Sequence, residues 1–561
     1  MATPRKGGPL RANAAVRPAM KMAGAGILCA IVAASGFAQF VSPAKFDATR
    51  QYRNPVLFAD YSDPDVIRDG KDFYLIASSF HFVPAIPVLH SRDLVHWDIA
   101  THVVNRLTMS PAYDMKGGNR YAGGVWAPSV RFHAGLFYVY FPTPDEGIFV
   151  STSPKMTGPW TEPTVVLPGA GWEDPCPFWD DDGNAYLVHS KLRAGPLILH
   201  RMSVDGKHLL DKGTVIVSDP VNLPVLEGPK FYKRDGWYYI FAPMGGVGTG
   251  EQAVLRSRHI YGPYESRKVL AQGKTGINGP HQGGWVEGPD GRGWFLHFQQ
   301  RGSHGRIVWL EPVTWKDDWP VIGLPTANSQ IGEPVMFTDL PVILSKQETH
   351  GPRTSDEFSS SSLSPMWEWN HNPEDSRWSL KERSGFLRLH PTFADSLVYA
   401  RNTLTETMQD ESFDVTTRVE LQHLVEGDHA GLSIFDRSLT SVSVVQHDNK
   451  RIVTFTAGKR EITGPSLNLE DLQSIQLRAS VSVDTARYSY SLDEGRTFHS
   501  IGEPVKLAFS WWKGARPALF AFNSVADSRG SVDFDWLHYK PQPELRATGP
   551  DLAVTPSIIP P

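Results

Sequence analysis

Between residues 63 and 291 one phrase occurs five times: a polar or aromatic residue, a short apolar strand, a turn containing glycine, then an aromatic strand. The copies open at Asp63 (SDPDVIRDGKDFYLI), Trp126 (WAPSVRFHAGLFYVY), Asp174 (EDPCPFWDDDGNAYLV), Glu227 (EGPKFYKRDGWYYIF) and His281 (HQGGWVEGPDGRGWFLHF). Their starts lie 63, 48, 53 and 54 residues apart, and Gly70, Gly135, Gly183, Gly236 and Gly291 follow their openers by 7 to 10 positions. A period of about 50 residues with several short strands per unit predicts a β-propeller with one sheet per blade. Equal phase in a propeller means equal position, so the five openers should face one end of the central axis. Three of them are carboxylates. The repeat therefore predicts Asp63, Asp174 and Glu227 around one pocket, with Trp126 and His281 beside them.

The rest of the chain sets the frame. At 561 residues it is too long for one ordinary domain and suits two large β domains. Residues 46–340 carry the five-bladed propeller and 341–356 read as a Pro- and Gly-containing linker. From 357 to 540 the repeat stops but alternating strands continue (SFDVTTRVELQ, SIQLRASVSVD, SVDFDWLHY), at β-sandwich spacing and without phased carboxylates. The tail 545–561 is rich in proline.

The first 38 residues read as a signal peptide. Arg5, Lys6, Arg11, Arg17 and Lys21 precede the apolar run MAGAGILCAIVAASGFA, and Gly36 and Ala38 are small residues suited to a cut after Ala38. The expectation is export, periplasmic or extracellular, with no membrane attachment after cleavage. Two cysteines, Cys29 and Cys176, exclude a disulfide framework, and Cys176 reads as a small core residue. A net charge of −5 without a basic stripe gives no case for a nucleic-acid partner.

Facing carboxylates suit hydrolysis of a glycosidic bond: one acid protonates the leaving oxygen while an ionised partner activates water on the other face of the sugar. The two need opposite protonation states at one pH. A third carboxylate near the acid supplies that asymmetry, because neighbouring negative charge favours the protonated form. Acids on different blades leave room for a water between them, which favours inversion over retention.

At these residues a family resemblance becomes specific. YSDPDVIRDGKDFYLIASSF, HSRDLVHW, GVWAPSVRFHAGLFYVYF, EDPCPFWDDDGNAYLV, EGPKFYKRDGWYYIF and VTWKDDWPVIG resemble, in order, the motifs of glycoside hydrolase family 43. DEFSSSSLSPMWEWNHNPEDSRWSL and SVDFDWLHY resemble the concanavalin-like β-sandwich that follows the propeller in the family's β-xylosidases. The resemblance implies an all-β enzyme in which Asp63 is the general base, Glu227 the general acid, and Asp174 the carboxyl that tunes and orients the acid. It further implies that Arg306 contacts sugar hydroxyls, that Trp126 offers an apolar face to the sugar ring, and that His281 lies at the pocket floor, where relatives order water around an ion. No cofactor is required. Calcium is the ion to test, at that floor or in the sandwich near Glu357, Asp533 and Asp535.

The expected reaction is release of D-xylose from the non-reducing ends of xylo-oligosaccharides. α-L-Arabinofuranosidase action on arabinose-containing plant polysaccharides is the alternative, and a non-catalytic carbohydrate-binding propeller the reading from another class. In SSFHFVPAIPVLHS, Val83 stands where the family commonly has a pocket-lining aromatic. That leaves neighbouring Phe82 as the aromatic of this loop for substrate binding, and it leaves the pentose open.

Overall fold

The structure, a computed structural model, describes residues 46–326, 330–344 and 351–542. The segment 1–38 expected to be a signal peptide, the tail 545–561 and part of the linker lie outside the described residues.

Five four-stranded antiparallel meanders form the propeller, the fourth of them extended to six strands by Gly332–Glu333 and Leu324–Pro325. Blade one comprises Asp65–Asp69, Asp72–Ile76, Ala85–Ser91 and Asp98–Val104, and blade two Ser129–His133, Leu136–Thr143, Gly147–Ser153 and Thr164–Pro168. Blade three comprises Trp172–Trp179, Ala185–Lys191, Leu197–Met202 and Thr214–Val217, and blade four Lys230–Arg234, Trp237–Met244, Glu251–Ser257 and Glu265–Leu270. Blade five is His281–Glu287, Gly293–Gln300, Arg306–Lys316 and Trp319–Ile322. The innermost hairpin of every blade is one copy of the repeated phrase.

The turn glycines explain why the phrase needs them. Gly70, Gly135, Gly183, Gly236 and Gly291 all have positive φ, between 62° and 84°. In blades two and four the turn is two residues long, Ala134–Gly135 and Asp235–Gly236, with φ positive at both positions. That geometry matches the right-handed twist of the flanking strands.

The ring closes where blade five meets blade one. A Cβ on Gly284 would stand 2.6 Å from Asp65 Oδ1 and 2.8 Å from Val66 N, so only glycine lets the two inner strands approach. Asp65 is not the turn residue that an Asp beside a proline suggests. It is fully buried at the head of its strand, where Oδ2 accepts from Val130 N (2.9 Å) and Arg131 Nη1 (2.8 Å) of blade two. Gln51–Arg53 pairs antiparallel with Phe337–Asp339, tying the start of the domain to its end.

The second domain is a sandwich of two large sheets, one centred on Asp428–Phe435 and Arg516–Asn523, the other on Ser412–Glu420 and Val532–Pro541. Their inner faces alternate in and out, as in Ser412–Glu420, and share one apolar core that includes Phe413, Leu432, Leu477 and Phe534.

The two domains share a sheet. Phe82–Val83, from the loop inside blade one, pairs antiparallel with Glu368–Asn370 and forms the edge of the first sandwich sheet. This corrects the expectation for Phe82. It packs among Leu397, Phe435 and Phe520, with the Arg516 guanidinium 4.4 Å from its ring centre, so its ring is committed to the interdomain core and not to a sugar.

Candidate active site

Each predicted acid sits at the head of an inner strand, and local irregularity aims it. Asp63 and Asp174 have φ of 54° and 55°, a region that non-glycine residues seldom occupy. In blade three the register shifts between Glu173 and Cys176, and in blade five between His281 and Gly283. Such bulges turn a side chain out of the pleat. Here they bring Asp174 and Gln282 together, with Gln282 Nε2 donating to Asp174 Oδ1 at 3.2 Å. Gly228 completes the contact: its N–H donates to Asp174 Oδ2 (2.9 Å), and a Cβ there would meet Gln282 Cδ at 2.9 Å.

Asp63 faces a cation. Arg306 Nη1 donates to Oδ1 at 2.9 Å and Ser78 Oγ to Oδ2 at 2.6 Å, with all three residues buried. Both oxygens of the carboxylate are thereby oriented.

Glu227 and Asp174 face other acids. Ser190 Oγ donates to Asp174 Oδ2 at 3.0 Å, and Glu227 Oε1 lies 2.7 Å from His281 Nε2. One carboxyl oxygen from each of Glu173, Asp174 and Glu227 falls within 4.8 Å of the others. Burial first, and the Glu227 charge second, push the Asp174 carboxyl up to about 6, against the opposing Gly228 N–H. Burial, then the Asp174 charge, raise Glu173 as well, although Ala194 N donates to its Oε1 at 2.9 Å. Proton affinity is therefore concentrated on this flank.

Arg306 also joins the second domain, its guanidinium carbon 4.7 Å from the Phe298 ring centre, 5.9 Å from Phe509 and 5.7 Å from Trp512. Trp126 stands edge-on to Phe80 and to Trp512, each at 6.1 Å, and its Nε1 donates to Ala122 O. Sequence reasoning did not find Ser78, Glu173, Ser190, Gln282 or the sandwich aromatics. Only Glu173 and Gln282 carried a signal, as polar neighbours of repeat openers.

The ion sites fare differently. In the sandwich the carboxylates do not suit calcium: Asp533 is held by Arg383 (2.9 Å) and Arg388 (2.7 and 2.9 Å), Glu357 by His538 (2.7 Å), and Asp535 faces Arg418 (3.8 Å). Two arginines already balance the Asp533 charge, and the three carboxylates are each spent on a cationic or histidine partner rather than converged on one point. At the pocket floor, His281 spends Nε2 on Glu227, while its buried Nδ1 has no partner among the described residues. One nitrogen suits the indirect, water-mediated role expected of it. The Asp180–Asp182 ladder is a turn braced by Lys233 and Tyr238, and Cys176 is fully buried.

Comparison with known proteins agrees with this architecture. Residues 52–320 match the profile described as glycosyl hydrolases family 43, and residues 355–540 the beta xylosidase C-terminal concanavalin A-like domain. The chain is 44% identical over 468 residues to a putative beta-xylosidase of Xylanibacter ruminicola, covering 83% of this chain and 85% of the relative. It is 34% identical over 543 residues to a beta-xylosidase of Formosa agariphila (87% and 90%). A non-reducing end alpha-L-arabinofuranosidase of Bacteroides ovatus is 26% identical over 520 residues (88% and 95%). Among solved structures, a bifunctional family 43 protein with a CE part from Bacteroides eggerthii superposes with a TM-score of 0.79 at 29% identity, over 88% of this chain and 64% of that one. A five-bladed propeller with phased acids, followed by this sandwich, makes the chain a member of glycosyl hydrolase family 43 and a glycosidase.

Proposed function

We propose that this glycosidase is an inverting, exo-acting β-xylosidase that releases D-xylose from the non-reducing ends of xylo-oligosaccharides. The observation that carries this reading is the split environment of the three acids. Asp63, oriented by Arg306 and Ser78, is the general base that takes a proton from water. Glu227, oriented by His281, is the general acid that gives its proton to the leaving oxygen. Asp174, fixed by Ser190, Gly228 and Gln282, sets a carboxyl oxygen within 4.8 Å of Glu227 as the neighbour that tunes and orients the acid. Arg306, guided by Asp63 on one side and Trp512 on the other, is placed to meet sugar hydroxyls, and Trp126 to meet the ring face. Sandwich aromatics beside Arg306 support an end-on pocket rather than an open groove. Two relatives named as beta-xylosidases support xylose as the released sugar.

No step in this scheme needs a cofactor; an ion at the floor would act through water near His281. The reading includes export with cleavage after Ala38, which N-terminal sequencing of the exported protein checks by a start at Gln39.

The test is parallel hydrolysis of aryl β-D-xylopyranoside, aryl α-L-arabinofuranoside and xylotetraose. A dominant xyloside rate with xylose as the sole early product supports the proposal. A dominant arabinoside rate moves the enzyme to the alternative, and no turnover of any of them favours the binding-propeller reading.

A further inference from the structure

A buried lysine from the sandwich reaches the propeller's catalytic mouth. Lys513 Nζ lies 2.9 Å from Asp60 O, 3.2 Å from Asp60 Oδ2 and 3.4 Å from Ser78 O. Its three protons thus have three acceptors, all on two propeller segments. Lys513 and Asp60 are each 4% exposed. A charge so buried is costly unless it is paired, so this contact is specific in geometry.

Those two segments are the ones that hold Asp63. Ser78, whose carbonyl Lys513 grips, donates its hydroxyl to Asp63 Oδ2 at 2.6 Å. Asp60 uses Oδ1 to accept from Arg306 N at 2.9 Å, and Arg306 in turn holds Asp63 Oδ1 at 2.9 Å. The sandwich adds Gly514 N, which donates to Asp60 Oδ2 at 2.8 Å, and Ala515 N, which donates to Ser303 O at 2.7 Å in the loop leading to Arg306. Space is exhausted around this knot. A Cβ on Gly305 would stand 2.4 Å from Asp60 Cγ, and one on Gly514 would stand 2.7 Å from His304 C.

The turn that presents Lys513 is itself rigid. Trp511 and Trp512 both have positive φ (54° and 66°), Ser510 and Lys513 exchange two backbone hydrogen bonds of 2.9 Å, and Trp511 stacks on Tyr121 with ring centres 4.3 Å apart. Two successive tryptophans in the left-handed region persist only where the surroundings over-determine them.

We propose that Lys513, through Asp60 and the Ser78 carbonyl, is a positioning residue for the reaction: the sandwich fixes both donors that orient the carboxylate of Asp63. This rests on reading Asp63 as the general base. It makes the second domain part of the machinery of water activation, not only a wall of the pocket.

The alternative is that Lys513–Asp60 merely glues the domains. Another buried interdomain cluster serves as the control: Glu368 lies 3.2 Å from His102 Nε2 and 2.8 Å from Arg516 Nη2, all three side chains are buried, and none contacts Asp63 or its donors. The experiment is a kinetic cycle of Asp60→Asn, Lys513→Met and the double variant, with Glu368→Gln and Asp63→Asn alongside. Each is assayed on an activated aryl xyloside and on xylobiose, with thermal unfolding recorded.

The expected result is a loss of kcat of about 10²-fold in Lys513→Met, the scale of a displaced catalytic group. It should be equal on the two substrates, because water activation is common to both. The double variant should lose no more than the worse single, while Glu368→Gln lowers the melting temperature and leaves kcat intact. The double variant leaves no unpaired buried charge and carries the test where a single variant does not fold. A folded double variant with kcat within about twofold of the parent overturns the inference, as does a loss confined to xylobiose or shared equally by Glu368→Gln. If Asp63→Asn itself retains activity, the base assignment has failed instead.

Discussion

The two flanks of the pocket are built from the same residue type and given opposite surroundings. On one, Asp63 accepts from a guanidinium and a hydroxyl. On the other, Glu173, Asp174 and Glu227 crowd one another, and their hydrogen bonds come from neutral donors (a serine hydroxyl, backbone N–H groups and the Gln282 amide) and from a histidine. A cation supports a carboxylate that must accept a proton, and crowded acids retain one. Repetition of a blade supplies three equivalent positions; what differs between blades supplies two different chemistries.

The strongest way to break this comparison is to disable each flank in turn. Asp63→Asn should lower kcat about 10³- to 10⁴-fold on every substrate, since water must always be activated. Steady-state rates on aryl xylosides of graded leaving-group ability would show parallel losses. Glu227→Gln should lose about 10³-fold on xylobiose and far less on activated aryl xylosides, which leave without a proton. If the two variants gave the same leaving-group dependence, the flanks would not differ in role.

Asp174→Asn sharpens the comparison through pH. Removing the carboxylate beside Glu227 should move the basic limb of the kcat/KM profile to lower pH. Stability carries a second signature. The Asp174 carboxyl is raised from its ordinary 3.8 to about 6, so the folded state binds its proton more tightly than the unfolded chain. That contribution is present below pH ~4 and is lost as pH rises through about 6. Relative to the parent, the Asn variant should therefore gain about 2–3 kcal/mol between pH 4 and pH 8, measured by denaturant unfolding at both. A pH-independent difference would mean that Asp174 is not held in this proton-rich setting.

His281→Leu should have the smallest effect, about tenfold in kcat, because Glu227 loses one orienting partner while the rest of the site stays in place. Equal loss on activated substrates would mean that His281 serves some group other than the acid.

The propeller was legible because each blade repeats a local signal: a turn glycine at positive φ and an aromatic strand at fixed distance from the opener. The same phase brought Asp63, Asp174 and Glu227 to strand heads. What escaped is non-local. Phe82 looked like a pocket aromatic because it neighbours Val83, where the family commonly has one, yet a two-residue pairing with Glu368–Asn370 draws it into the sandwich. Asp65 follows a proline and carries no signal of a distant partner, but Arg131, which binds it, is 66 residues away. Lys513 is an ordinary cation in WWKG until the fold sets it on Asp60, 453 residues earlier. Periodicity reports what a strand does with its own neighbours; these residues answer to another blade or another domain.

The most direct test of the division between base and acid is proton NMR of the first turnovers on an aryl β-D-xylopyranoside, reading the anomer of the released sugar before mutarotation. A water activated by Asp63 on the face opposite Glu227 must give α-xylose first. Initial β-xylose would mean a covalent intermediate, and would contradict the assignment of Asp63 as a base.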